Sequence, residues 1–229
     1  MQDKNSLIIG FLQRNLLVVF GTEINGVLTV DLKEDLVKDL EVIDKNKLEN
    51  QIKVFAANFK LPPCNIILVL SEAVIFQKDI IGVNQNEIDS YIQDFLDNIP
   101  VETVSSKLFP IENGVKIIAV NRQLYEVIGK TFQSLGFSVL SIIPEILLDK
   151  KIVEEQTGID TDTTSFLNNM DYIKSNTIWS QTIQLKSSLP ALSVKKEKTS
   201  EHTGKRMYVF LATFVFLLFS LIVMLLIKR

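Results

Sequence analysis

The stretch LIIGFLQRNLLVVFGTEINGVLTVDL, residues 7–32, decides the fold that the sequence predicts. Three short apolar runs of strand length lie within it, at 7–11, 16–20 and 27–32. Asn25 and Gly26 both tolerate positive φ, so they favour a hairpin turn before the third run. We therefore expect the chain to begin with three antiparallel strands.

Helical and strand-like patterns alternate after this start. In 46–60, five apolar residues recur at helical spacing, namely Leu48, Ile52, Phe55, Ala56 and Phe59. Asp44 precedes them as an N-terminal cap. Two prolines end this segment, and the continuous apolar run NIILVL at 65–70 then has the length of a buried central strand. Residues 33–44 are compatible with either a loop or a short helix.

The later elements follow the same reasoning. We predict a strand at 73–80, and a helix that begins at Asn84 with Glu87 completing a capping box. The turn signal at 112–114 indicates a hairpin between two further strands, and Gly136 is the predicted C-terminal cap of a third helix. These last elements are predicted at 103–111, 115–121, 123–135 and 137–143. The order β-β-β-α-β-β-α-β-β-α-β predicts one α/β (α+β) domain over residues 1–155.

An uncharged segment, MYVFLATFVFLLFSLIVMLLI at 207–227, predicts a transmembrane helix. A bilayer core about 30 Å thick needs roughly 20 apolar helical residues, which this segment supplies. Basic residues flank it on both sides: Lys195, Lys196, Lys198, Lys205, Arg206, Lys228 and Arg229. Positive charge favours the cytoplasmic side, and the start of the chain has no signal-peptide pattern. We therefore expect a single-pass protein of the cytoplasmic (inner) membrane, with a cytoplasmic N-terminal domain and the C-terminus outside.

Residues 156–206 are predicted to be a linker that is disordered in part. Its polar composition supports this prediction, although 166–179 has enough apolar residues to dock on the body or to form a short helix. The basic cluster before the anchor is compatible with two roles, attraction of anionic lipid by about 1 kcal/mol per charge and a signal for topology alone. Membrane lipid is thus one expected partner, through the C-terminal helix.

Composition and motifs limit the chemistry. The chain has 229 residues with a formal net charge of −3, which argues against nucleic acid as a partner. The single cysteine, Cys64, fits a reducing compartment and a buried structural thiol, and the single histidine, His202, lies in the predicted linker. None of the P-loop, dinucleotide-binding, zinc-protease or nucleophile-elbow motifs occurs. Several acidic residues are predicted to lie on a solvated helix face rather than at a metal site: Glu87, Asp89, Asp94 and Asp97. We therefore expect no cofactor, no metal and no catalytic residues.

The block from 86 to 144 resembles the middle of the actin-like pilus-assembly proteins, PilM, and the related cytoplasmic domain of GspL in type II secretion. The resemblance lies in the acidic helix that ends at Asn-Ile-Pro-Val (98–101) and in a following strand pair. Val-Asn-Arg-Gln (120–123) then begins a helix, and Gln-Ser-Leu-Gly-Phe (133–137) leads to the last strand. The resemblance implies a single actin-like (ribonuclease H-like) lobe with an added small subdomain, followed by a tether and one transmembrane helix.

One departure from this family bears on nucleotide binding. Its members begin with a hairpin of the type Asp-Ile-Gly-Ser-Ser, which serves the nucleotide phosphates and a metal ion. This sequence has Val-Val-Phe-Gly-Thr (18–22) there, with Phe20 or a neighbour in place of the aspartate. The chain also turns into tether and anchor before a second lobe is built. We therefore expect that it neither binds nor hydrolyses a nucleotide.

The resemblance and the departure together imply a non-catalytic, membrane-anchored scaffold or adaptor. It would belong to the inner-membrane platform of a type IV pilus or a type II secretion machine and bind other platform subunits. Three alternatives stay open, namely a tail-anchored regulatory or adaptor protein unrelated to pili, a nucleotide-binding actin-like ATPase, and an enzyme that uses two converging carboxylates. Self-association also stays open.

Overall fold

A five-stranded sheet, a three-stranded sheet and a small hairpin make up the β-structure of the computed structural model, which describes residues 6–22, 24–148 and 163–179. The strands are β1 (Leu7–Leu12), β2 (Leu16–Gly21), β3 (Leu28–Asp31), β4 (Val37–Lys38), β5 (Glu41–Val42), β6 (Asn65–Leu70), β7 (Ile75–Ile81), β8 (Val104–Ile111), β9 (Gly114–Asn121) and β10 (Ser138–Pro144). The helices are α1 (Lys45–Asn58), α2 (Gln85–Asp97), α3 (Arg122–Ser134), α4 (Thr164–Asn168) and α5 (Met170–Ser175). Short 3₁₀ turns follow β6 and β10, at Glu72–Val74 and Glu145–Leu147.

The large sheet has the strand order β10–β6–β1–β2–β3. Its first three strands pair antiparallel, as residues 7–32 predict, whereas β6 and β10 pair parallel to β1 and to each other. Parallel neighbours need crossover connections, which α1 and α3 supply. Three antiparallel strands extended by two parallel ones form an actin-like (ribonuclease H-like) lobe. The predicted α/β (α+β) lobe is confirmed, whereas the tether and the transmembrane helix of that prediction lie outside the described residues.

Strand β6 lies between β1 and β10 and is buried on both faces. Each side chain from Ile66 to Leu70 is 1% exposed or less. Successive side chains of a strand point to opposite faces, so Ile66 and Leu68 belong to one core cluster and Ile67 and Val69 to another. The apolar run without polar alternation is therefore what this position in the sheet requires.

Helices cover both faces of the large sheet. α1 and α3 pack together on one face, where the buried side chains of α1 are Leu48, Ile52, Phe55 and Ala56. On the other face α4 and α5 bury Phe166 and Ile173 against Ile67 and Val69 of β6. The hydroxyl of Ser141 in β10 also donates to the carbonyl of Ile173, at 3.0 Å. Residues 163–179, which the sequence analysis assigned to the linker, thus pack against the sheet.

The small sheet, in the order β7–β9–β8, is inserted between β6 and α3. Its antiparallel strands and α2 enclose a core of their own around Ile80, Ile92 and Ile117. The turn between β8 and β9 holds Asn113 at a φ of 61°, as its hairpin signal predicts. This unit is the added small subdomain that the sequence predicts.

Three local predictions need correction. Residues 33–44 form neither a loop alone nor a helix, because β4 and β5 make a short hairpin whose turn holds Asp39 and Leu40 at positive φ. Phe59 is 51% exposed, because α1 ends one residue earlier and the helical stripe no longer directs that side chain inward. Asn84 precedes α2, but its side chain makes no capping bond; the backbone carbonyl of Asn84 accepts from the N–H of Glu87 instead.

The predicted transmembrane segment at 207–227, its flanking basic residues and most of the predicted linker lie outside the described residues. Within the described part of the chain, no helix is both long enough and apolar enough to cross a membrane.

Replacing Phe166 with alanine tests the packing of α4 on the sheet. Phe166 is 1% exposed, so we expect Phe166→Ala to lower the free energy of unfolding by about 3–5 kcal/mol. The neighbouring Leu167 is 37% exposed, and Leu167→Ala should cost less than about 1 kcal/mol. Urea denaturation measures both values. Equal losses in the two variants would show that α4 does not pack as described.

Candidate functional site

A groove lies between the edge strand β8 of the small sheet and the edge strand β10 of the large sheet, beside α3. Residues 176–179, which follow α5, lie in it. We call this region the inter-sheet groove and define its walls by Ser105, Ser106 and Lys107 on β8, Ile142 on β10, and Tyr125 and Gly129 on α3. Two sheet edges and a helix thus face one short extended segment.

The segment pairs with the edge of β10 through main-chain groups and one hydroxyl. The N–H of Ile178 donates to the carbonyl of Ile142 at 2.8 Å. Thr177 Oγ1 accepts from the N–H of Ile142 at 3.0 Å and also lies 3.2 Å from its carbonyl. The segment therefore satisfies the N–H and the carbonyl that β10 presents at Ile142, as an added strand would.

The indole ring of Trp179 packs against Tyr125 and Gly129 of α3, and we call this packing site the aromatic seat. The ring meets Tyr125 edge-to-face, with the ring centroids 6.2 Å apart. A Cβ atom at Gly129 would lie 3.2 Å from two indole carbons, which is tighter than an ordinary van der Waals contact, so the ring's close approach favours glycine at this position. Burial raises the pKa of the Tyr125 phenol, and a hydrogen bond with Ser105 partly opposes that rise. The indole Nε1 is buried and has no hydrogen-bond partner within the described residues.

Lys107 reaches across the groove from β8. Its ammonium group donates to the carbonyls of Ser175 and Thr177, at 3.2 and 3.0 Å, and lies 5.4 Å from the centroid of the Phe109 ring. Within the described residues it makes no ion pair with a carboxylate. Burial lowers the pKa of Lys107, because a half-buried ammonium loses hydration that carbonyl oxygens replace only in part.

Asn121 joins the end of β9 to the β4–β5 hairpin and to the start of α3. It is 2% exposed, and its amide nitrogen donates to the Leu40 carbonyl and to the Glu41 carboxylate, both at 2.9 Å. Its side-chain oxygen caps α3 by accepting from the N–H of Gln123. Glu41 in turn accepts from the N–H of Glu102 at 2.7 Å. The sequence marked 120–123 as part of the family-like block, but it did not indicate this junction, because the partners are far apart in the chain.

Two acidic residues follow the carboxyl ends of β6 and β10, where open α/β sheets bind ligands. Glu145 Oε2 accepts from the backbone N–H of Glu72 at 3.3 Å, so this carboxylate caps the turn after β6. Burial raises the pKa of Glu145, the hydrogen bond from Glu72 lowers it, and the charge of Glu72 raises it. Among the described residues, no group of three or more His, Cys, Asp or Glu side chains is placed to hold a metal ion.

The turn of the first hairpin lies at 13–15, between the first two apolar runs, where the N–H of Gln13 donates to the carbonyl of Leu16. The residues compared above with the hairpin of the resembling family, 18–22, are therefore not the turn of this hairpin. Residues 18–21 belong to β2, between β1 and β3. The turn itself reads Gln-Arg-Asn, so it also lacks an acidic residue. Its Arg14 forms an exposed ion pair with Asp39 at 3.2 Å.

The remaining sequence-based candidates are not brought together. Cys64 is buried before β6, as expected of a structural thiol. Glu87, Asp89, Asp94 and Asp97 lie along α2, and of these Asp94 pairs weakly with Lys78 at 3.9 Å. The basic residues from Lys195 to Arg229 and His202 lie outside the described residues. Lys107 and Trp179 carried no sequence signal, because the groove forms only in the folded chain.

No protein-family model and no curated protein sequence matches the chain. Solved structures do match it. One is the PilM–PilN type IV pilus biogenesis complex, with a TM-score of 0.44 and 10% identity over 67% of this chain and 52% of that chain. Another is the cytoplasmic domain of EpsL, an inner-membrane component of the type II secretion system of Vibrio cholerae. Its TM-score is 0.38, with 12% identity over 62% of this chain and 58% of that chain.

A third match is a protein of unknown function with an actin-like ATPase fold from Bacteroides thetaiotaomicron. Its TM-score is 0.37, with 8% identity over 68% of this chain and 58% of that chain. This chain thus spans between 52% and 58% of the length of the three structures. The likeness to PilM and to a type II secretion cytoplasmic domain that the sequence indicates is confirmed. At these identities it concerns the fold alone.

A leucine at position 129 tests the seat of Trp179. The added side chain would occupy the space of the indole ring, so we expect Gly129→Leu to expose Trp179 and shift its fluorescence emission to longer wavelength. Trp179 is the only tryptophan of the chain, so the signal is unambiguous. Lys130→Leu places the same side chain on the exposed neighbouring position and should leave the emission unchanged. An unshifted Gly129→Leu spectrum would contradict the described contact.

Proposed function

We propose that this chain is a non-catalytic, membrane-anchored scaffold or adaptor of an inner-membrane assembly platform, serving a type IV pilus or a type II secretion machine. Its inter-sheet groove binds an extended segment of another platform subunit. The observation that carries this proposal is the segment 176–179, a piece of polypeptide after α5 that is held between β8 and β10. The family-like block at 86–144 and the uncharged segment at 207–227 support the setting at the membrane.

The partner's segment would take the place of residues 176–179 in the groove. Main-chain groups of Ile142 offer one donor and one acceptor to any extended chain, whatever its side chains. The ammonium of Lys107 supplies a donor to carbonyl oxygens from the opposite wall. The seat over Gly129 selects a flat aromatic side chain. Backbone pairing would thus provide affinity, and the aromatic seat would provide specificity.

The names of two matched structures agree with such a role. One describes a complex of PilM with PilN in pilus biogenesis, and the other describes an inner-membrane component of type II secretion. We infer for this chain the corresponding kind of partner, a platform subunit at the same membrane. The choice between a pilus and a secretion machine is part of the experiment below.

We also propose that the chain does not bind or hydrolyse a nucleotide. The turn of its first hairpin has no acidic residue to hold a metal-bound phosphate. At the carboxyl ends of the parallel strands, the Glu145 carboxylate already caps a neighbouring turn. This hydrogen bond also argues against an enzyme with two converging carboxylates, because Glu145, one of the two acids at this edge, already accepts from a backbone N–H.

Capture from native membranes tests the scaffold proposal. The tagged full chain, crosslinked in its own host and purified in detergent, should recover pilus or secretion platform subunits. Lys130→Leu should recover them equally, whereas Gly129→Leu, which blocks the aromatic seat, should recover at least about tenfold less. Recovery of a partner with no role in either machine would refute the platform assignment. Equal recovery by Gly129→Leu would refute the groove as the docking site.

Calorimetry tests the absence of nucleotide binding. Titration of the detergent-purified full chain with Mg-ATP, and separately with Mg-ADP, should give only the heat of dilution. An actin-like ATPase measured in the same buffer serves as the positive control. A dissociation constant in the micromolar range for either nucleotide would overturn this part of the proposal.

A further inference from the structure

Consecutive residues of the docked segment meet the inter-sheet groove through their side chains: Thr177, Ile178 and Trp179. The other contacts of the segment are less selective. Lys107 binds main-chain carbonyls, which a segment of any sequence would offer. The side-chain amide of Asn176 points back to a carbonyl of α5. The groove therefore reads the sequence of its occupant at the positions of residues 177, 178 and 179.

The first position uses a hydroxyl both as acceptor and as donor. Thr177 Oγ1 accepts from the N–H of Ile142 at 3.0 Å and from the N–H of Trp179 at 3.1 Å. Its O–H donates to the carbonyl of Ile142 at 3.2 Å. Serine and threonine are the residues that carry such a group one bond beyond Cβ. This position therefore requires serine or threonine, and valine would have the shape of threonine without any of the bonds.

The second position is part of the core. Ile178 is 8% exposed and belongs to the same core cluster as Ile142 and Ile128. A charged side chain there would lose its hydration, which is costly in an apolar environment. This position therefore requires an aliphatic residue.

The third position is the aromatic seat. Trp179 packs there against Tyr125 and Gly129, and its buried Nε1 has no hydrogen-bond partner among the residues that the structure describes. Packing alone thus holds the ring, and a phenylalanine in the same place would sacrifice no hydrogen bond. This position requires a flat ring rather than an indole.

We infer that the groove recognises a pattern in the partner's polypeptide, namely serine or threonine, then an aliphatic residue, then an aromatic residue. The chain's own Thr-Ile-Trp at 177–179 has this pattern and competes for the same place. This inference rests on the proposed function, because it names the chemistry of the segment that the groove binds and adds an internal competitor.

The competitor is held close to the groove. It follows α5 directly, and Ile173 of that helix is fully buried against the large sheet. A tethered ligand acts at an effective concentration that reaches the millimolar range. A site that is free for only a fraction of the time binds its partner more weakly by that same fraction. Residues 177–179 are therefore an autoinhibitory contact, and a partner gains affinity once they are released.

A labelled peptide tests the pattern and the competition. The probe is Ser-Asn-Thr-Ile-Trp, residues 175–179, with fluorescein attached through two glycines and an amide at its C-terminus. The receptor is the detergent-purified full chain with Ile178→Asp and Trp179→Ala, which we call the opened variant. Fluorescence anisotropy should show saturable binding with a dissociation constant below about 1 mM. The wild-type chain should bind the peptide at least about tenfold more weakly, and Leu167→Ala, which leaves the segment intact, should behave as the wild type does.

Changes in the peptide test each position against the opened variant. Thr177→Val should weaken binding about tenfold, because a main-chain N–H of β10 loses its acceptor. Trp179→Ala should weaken it at least about tenfold, whereas Trp179→Phe should stay within about threefold. In the protein, adding Gly129→Leu to the opened variant should abolish binding, and adding Lys130→Leu should not change it. This pair of variants also controls for uptake of the peptide by detergent.

A second receptor covers the case in which the opened variant does not fold. The single change Trp179→Ala leaves Ile178 in place and should still bind the peptide more tightly than the wild type does. The pattern is refuted if neither receptor binds the peptide, or if the peptide with Thr177→Val binds equally well. Equal binding by the wild type and both receptors would refute the competition.

These outcomes are separate from those of the scaffold proposal. Peptide binding without capture of platform subunits would refute the scaffold role and leave the pattern in place. Capture that depends on Gly129, together with a peptide that does not bind, would refute the pattern and leave the scaffold role in place. A captured partner should also carry the pattern in the segment that crosslinks to the groove.

Discussion

Burial of β6 on both faces is the constraint on which the rest of this fold depends. A strand with apolar side chains on both faces is stable only inside a sheet that is covered on both sides. One cover is α1 with α3, and the other is the helical segment 163–175. The layers therefore follow from the composition of six residues, Asn65–Leu70. The same requirement explains why a stretch that is polar overall folds back onto the sheet, because Phe166 and Ile173 complete the second cover.

The sequence predicts those elements whose signals are local. Asn25–Gly26, Asp44 and Gly136 mark a turn, a helix start and a helix end, and each has that role in the structure or lies at that boundary. The β4–β5 hairpin was not predicted, because its turn holds Asp39 and Leu40 at positive φ without a glycine or asparagine to indicate it. Asn121, which is distant in the chain, stabilises that turn through hydrogen bonds to Leu40 and Glu41. Tertiary contacts thus supply what the local sequence does not indicate.

The inter-sheet groove shows the same limit for function. Its chemistry comes from Lys107 on β8, Gly129 on α3 and Trp179 after α5, and none of these residues belongs to a recognisable motif. In a sequence, a lysine in an edge strand indicates protection against strand pairing, and a glycine in a helix indicates only a cost in stability. The folded chain gives both residues a second role, because the strand edge and the helix face the same extended segment. A site that is formed by strand edges in this way can be identified only once the sheet topology is known.

The small sheet is joined to the rest of the lobe by two short connections, one to β6 and one to α3. β6 continues through one 3₁₀ turn into β7, and β9 continues at Asn121 directly into α3. A pulling force on the small sheet would therefore reach the body through β6 and through α3. Because β6 is bonded to a parallel neighbour on each side, its ladders would have to slide and break together under that load. The connection to the insertion thus begins at β6, a strand whose two parallel ladders would both resist such a force.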